Sequence, residues 1–148
     1  MKRPERKSSP AETSETLSQF AAENPRCWLC GVRAVNTWPP RIQLHHICRG
    51  PDREAAREDR AALLAACPMC HAQLLDAMPV ARQLGLKKMF DSAGYDRRQV
   101  NIIRSAHNLR GPQPEAITEA EVDAEVAVLE RMIKKTGTGW PFPKWSWN

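Results

Sequence analysis

The stretch AALLAACPMCHAQLLDAMP, Ala61 to Pro79, joins an apolar run to a Cys-x-x-Cys pair with a histidine directly behind it. The segment begins apolar, passes Cys67-Pro-Met-Cys70 and continues as a helix that stops before Pro79, because the residue ahead of a proline avoids the helical region. A second pair, Cys27-Trp-Leu-Cys30, stands upstream with 36 residues between the two. Each pair can present two thiolates from one tight turn, and two such turns complete a tetrahedral zinc site. Four thiolates leave zinc no open position. Closing such a site fastens a loop-rich region that has too little core of its own. Cys48, the fifth cysteine, reads as a small packing residue near the site.

Between the pairs lies LHHICRG, Leu44 to Gly50. Neighbouring side chains on a strand point to opposite faces, so His45 and His46 can share a site only where the strand ends or bends. Gly50-Pro51 supplies such an end. Around this segment, NPRCWLCGVRAVNTWPPRIQLHHICRG is rich in turn residues, which favours short strands flanking a knuckle over long helices.

In chain order the elements are Cys27-x-x-Cys30, His45-His46-Ile47, then Cys67-x-x-Cys70-His71. From Cys27 to Leu75 this resembles the HNH endonuclease family in its zinc-bearing form. The resemblance implies a small α+β fold. Its core would be a ββα-metal (His-Me finger) unit stapled by the four-cysteine zinc site, with flanking and C-terminal helices. A hairpin would carry the paired histidines, and a helix after a loop would carry the last one. By position, His46 is then the general base that activates water, and His45 and His71 are ligands of one catalytic divalent ion, Mg²⁺ or Mn²⁺. The chemistry suits the residue types: a neutral imidazole accepts a proton near physiological pH, and a divalent ion offsets charge on a phosphodiester. One position departs from the pattern. The family asparagine stands five residues before the first cysteine of the closing pair, where this chain has Ala62, and Asp59 is the nearest residue able to replace it over a different loop path. The implied function is metal-dependent DNA cleavage. The alternative is a catalytically silent zinc module of the same fold that binds DNA or protein.

The rest of the chain falls into a basic, polar N-terminus with a short helix (1–24), the zinc-knuckle region (25–78), a helical extension (79–136) and a Trp- and Pro-rich tail (137–148). The first helix is expected over Thr13–Asn24, ended by Asn24-Pro25. RGPDREAAREDR, Arg49 to Arg60, balances four arginines against four acids and reads as a polar loop. Val80–Phe90 is a helix. Asp96 and Gln99 give a capping-box pattern for another, with Val100 and Ile103 inward, and Thr118 and Glu121 repeat it ahead of Val122, Val126, Leu129 and Ile133.

Charge is uneven. Residues 82–110 hold seven Lys or Arg against two Asp, while five acids and no base fall between 111 and Glu130. The basic block and the net charge of +5 suit a polyanion, with Arg82, Lys87, Lys88, Arg97, Arg98 and Arg104 as a DNA phosphate track. His107 reads as a surface residue. No apolar run is long enough to span a bilayer and the basic start leads into polar residues, so a soluble cytoplasmic protein is expected. Trp140, Trp145 and Trp147 either fold back over the core, dock a protein partner or stack on unpaired bases.

Overall fold

A computed structural model describes residues 10–34, 42–48, 56–106 and 114–143; Trp145, Trp147 and His107 lie outside them. Among these residues the fold is α+β, with five helices and one two-stranded sheet. Helix α1 spans Pro10–Glu23, a turn earlier than expected, and a proline is tolerated in a first helical turn because its missing N–H has no partner there anyway. It ends against Asn24, whose side-chain amide donates to the Phe20 carbonyl at 2.9 Å. Phe20 itself is fully buried.

Strand β1 is Gln43–His46 and strand β2 is Leu63–Ala66. They pair antiparallel, with His45 opposite Leu64 and His46 opposite Leu63. All four β2 residues are buried. Both of its faces are covered, since all four side chains belong to the buried core. Its edges are met by β1 and by the knuckle, where the Trp28 backbone N–H donates to the Ala65 carbonyl at 3.0 Å. Ahead of it, Asp59 caps a 3-10 turn, Arg60–Ala62, by accepting from the Ala61 N–H.

Helix α2, Pro68–Gln73, is shorter than the expected helix. It starts at Cys67, whose sulfur accepts the Cys70 N–H, and gives way to a separate 3-10 turn, Leu75–Ala77, before Pro79. Its continuation is broken at Leu74, where the backbone leaves helical geometry (φ −120°, ψ −56°).

Helices α3 (Val80–Phe90), α4 (Arg97–Ala106) and α5 (Glu119–Thr136) complete the fold. The capping box on Thr118 and Glu121 is present at α5, and Gly137 ends that helix in the left-handed conformation. Val122 and Leu129 are buried as their spacing requires, and Val126 is half-buried. Met132, rather than Ile133, packs on the core. Helices α3 and α5 lie against one another at Gly85, where a Cβ would come within 3.2 Å of the Glu125 Cβ and 3.4 Å of a Leu129 methyl. A larger residue would push the two axes apart.

The chain then returns to the knuckle. Trp140 stacks on Phe90 with ring centroids 5.6 Å apart, and the Phe142 N–H donates to the Leu29 carbonyl at 2.8 Å. Trp140 therefore folds back over the core. Among the described residues no helix is long and apolar enough to cross a membrane.

Candidate metal centres

The knuckle is drawn together by a bridge between Arg26 and Arg33, and Gly31 turns its tip at φ 82°. Inside the turn, the N–H groups of Leu29 and Cys30 point at the Cys27 sulfur, at 3.4 and 3.5 Å. The Cys70 N–H points at the Cys67 sulfur at 3.4 Å in the same manner. Such donors favour the thiolate over the thiol. The four sulfurs of Cys27, Cys30, Cys67 and Cys70 lie within 4.8 Å of one another, and all four residues are buried.

Two sulfurs each about 2.3 Å from a tetrahedral zinc stand roughly 3.8 Å apart, whereas a disulfide brings them to about 2.05 Å. Cys30 and Cys67 are 3.8 Å apart. Proton sharing among the group splits it: the Cys30 contact, foremost, holds Cys27 down at about 7, and contacts to Cys27, Cys30 and Cys70 pull Cys67 below the usual thiol range. The thiols of Cys30 and Cys70 are pushed up. Four buried sulfurs at this spacing fit zinc, which binds them as thiolates. Cys48 is buried in the core outside this cluster.

A second donor group lies across β1. His45, His71 and Asp76 place one ligand atom each within 4.8 Å of the others. The rings of His45 and His71 meet edge to face, with centroids 4.9 Å apart. The His71 Nε2 is 3.7 Å from an Asp76 oxygen, too long for a hydrogen bond. That spacing suits two atoms that share an ion about 2.1 Å from each. Burial pushes His45 down to about 4, so its imidazole stays neutral and able to ligate across the physiological range.

Each ring has one nitrogen against an oxygen. The Nε2 of His45 lies 2.9 Å from Gln83 Oε1, and the Nδ1 of His71 lies 3.1 Å from Gln43 Oε1. His46 faces elsewhere, with its Nε2 3.2 Å from the Arg57 carbonyl. Oxygen acceptors require the imidazole to donate. For His45, whose Gln83 partner is itself held by the Met78 and Leu75 carbonyls, the lone pair therefore remains on Nδ1.

Ala62, at the position where the HNH resemblance leads one to expect asparagine, is fully buried, and its carbonyl accepts the Ile47 N–H at 2.9 Å. Asp59 does not fill that place. One of its oxygens caps Ala61 at 3.0 Å and the other accepts from Gln99 at 2.9 Å.

Most of the basic block is paired with acids or carbonyls of neighbouring segments. Arg82 pairs with Glu125 at 2.8 Å, and Lys88 with Glu119 and Asp123 at 2.9 and 2.6 Å. Arg97 meets Glu119 at 3.4 Å and the Ile117 carbonyl at 2.8 Å, and Arg104 donates to the Glu115 carbonyl. Lys87, expected on a phosphate track, is wholly buried instead, with its ammonium on the Leu63 carbonyl and Asp91. It cannot meet a phosphate there. Arg98 alone of the six is exposed and outside these bonds.

Sequence reasoning passed over Asp76, Gln43 and Gln83. Gln43 had a signal, since it sits two residues before His45 on the same strand face. Asp76 and Gln83 had none, because the break at Leu74 and the packing of α3 bring them in. Compared with known proteins, the chain matches no family model, no curated protein and no solved structure.

Proposed function

We propose that the protein is a metal-dependent endonuclease of the HNH type that hydrolyses DNA phosphodiester bonds, with a structural zinc on the four cysteines. The observation that carries the reading is the arrangement of the three imidazoles. His45 and His71 stand with Asp76, one ligand atom of each within 4.8 Å of the others, and His46, adjacent in sequence, has its Nε2 on the Arg57 carbonyl. One strand pair and the helix behind it supply all three imidazoles. His45, His71 and Asp76 would hold a divalent ion, which would supply positive charge to the phosphodiester.

His46 takes a proton from water as the water oxygen bonds to phosphorus. Its Nε2–H stays on the Arg57 carbonyl, which holds the ring in one orientation and steadies the imidazolium that forms. The P–O3′ bond breaks, and the 3′ oxygen takes a proton from solvent. The products carry a 3′ hydroxyl and a 5′ phosphate.

A second reading has its own observation. Ala62 is a buried methyl where the family has a hydrogen-bonding amide, and this favours a silent module of the same fold that binds DNA or protein. Incubation of zinc-loaded protein with plasmid and single-stranded DNA, in Mg²⁺, Mn²⁺ or chelator, separates the two. Nicking that needs the ion and is lost in His46→Ala supports the enzyme. DNA retention without cleavage under every ion overturns it in favour of the module.

A further inference from the structure

Gln83 belongs to α3, beyond the strand pair and helix that carry the histidines, and no pattern in the sequence joins it to them. Its side chain is 1% exposed and His45 is 4% exposed, so the bond between them is closed to water. The amide nitrogen of Gln83 donates to the Met78 carbonyl at 2.8 Å and reaches the Leu75 carbonyl at 3.4 Å. A flipped amide would set its oxygen against two carbonyl oxygens and its NH₂ against His45. The amide therefore has one orientation, with its oxygen on the His45 Nε2.

We propose that Gln83 is a positioning residue that locks His45 as the Nε2–H tautomer and thereby makes Nδ1 the atom that ligates the divalent ion. Gln43 Oε1 faces the His71 Nδ1 at 3.1 Å from β1, and the His71 Nε2 lies on the side of Asp76. This rests on the reading of His45, His71 and Asp76 as a divalent-ion site. It adds a function for the helical extension, which becomes part of the site's support. A histidine that ligates through one nitrogen and donates from the other binds better because its ring is fixed and its lone pair is more basic.

Two measurements on zinc-loaded protein test it. Ring ¹⁵N shifts of His45, read by long-range correlation NMR before any second ion is added, should show a protonated Nε2 and a bare Nδ1. A protonated Nδ1, or an even mixture, overturns the proposal whatever any variant does. Mn²⁺ titration followed by electron paramagnetic resonance should then show one site in the parent that His71→Ala removes. Gln83→Met, confirmed as folded by its circular dichroism and amide spectrum, should bind Mn²⁺ about 10-fold to 100-fold more weakly and lose the single tautomer. If the parent binds no Mn²⁺, the divalent-ion reading itself fails. If the parent binds and folded Gln83→Met binds equally or more tightly, that reading stands and the role of Gln83 is refuted.

Discussion

The ammonium of Lys87 lies 2.7 Å from an Asp91 carboxylate oxygen, one helical turn along α3, with the lysine side chain wholly removed from solvent. Phe20 and Trp28 present ring faces to that ammonium at 4.7 and 5.6 Å, and the Leu63 carbonyl accepts from it at 2.9 Å. Arg60 holds the other side of Asp91 at 3.1 Å and reaches Glu23 at 2.7 Å. One buried lysine thus ties α1, the knuckle and β2 to α3. Burial lowers the Lys87 pKa even so, which marks the desolvation that the bonds have to offset.

The two partners should therefore behave unequally when removed. Asp91→Ala leaves a buried ammonium without its anion and should cost about 3–5 kcal/mol. Lys87→Met keeps the apolar stem between the two rings and leaves Asp91 to Arg60, so its cost should be the smaller, about 1–3 kcal/mol for the orphaned Leu63 carbonyl. Urea unfolding of both variants with zinc bound measures the difference. Equal costs, or a larger one for Lys87→Met, would show that the pair is not what stabilises this junction.

Zinc removal tests the knuckle. Purified protein should hold one zinc per chain, and serine at Cys27, Cys30, Cys67 or Cys70 should release it and unfold the region that the two turns join, since metal binding and folding share one free energy. Cys48→Ser should keep the metal, because Cys48 lies outside the cluster. Elemental analysis of folded protein reads both outcomes, and a zinc-free folded parent contradicts the assignment.

Gly31 gives an independent check on the return of the C-terminal segment. A Cβ there would collide with the Trp140 indole, and the backbone at φ 82° is left-handed. Gly31→Ala should cost more than the roughly 1–2 kcal/mol of left-handed strain alone. In a Trp140→Ala background only that strain should remain. A double-mutant cycle showing no coupling would place the indole elsewhere.

These residues also show where the sequence was informative. Paired cysteines and capping boxes are local patterns, so the four-cysteine cluster and the start of α5 could be read from spacing alone. β2 could not. Leu63 to Ala66 has no alternation because both faces of the strand are buried, and a short apolar run of this kind has no period to report. The basic block misled for a similar reason. Its apparent excess is offset by the acids of α5, which chain order sets apart and packing brings to Arg82, Lys88 and Arg97. Gln83 reaches His45 only through the fold, and nothing near either residue in the chain announces the contact.

Ala62 is where sequence and proposed chemistry disagree, and the structure narrows the disagreement. Its carbonyl accepts the N–H of Ile47, the residue after His46, so a side chain at 62 grows from beside the strand end that carries the proposed base. Asp59 offers no substitute, since both its oxygens are engaged with Ala61 and Gln99. Asp59→Ala should therefore cost about 1 kcal/mol as a lost cap and leave the cleavage rate of folded protein within a few-fold of the parent. Ala62→Asn should act in the opposite way. It buries an amide in a closed site and lowers stability, yet it returns an orienting group, and such groups are worth on the order of 10-fold to 10³-fold in rate. Parallel assays of metal-dependent DNA cleavage and DNA binding separate the effects, with rate expected to rise and affinity to hold. If folded Ala62→Asn cleaves no faster than the parent, no orienting group is missing at 62. If Asp59→Ala instead abolishes cleavage without unfolding, the capping carboxylate has a second task that its bonds to Ala61 and Gln99 do not account for.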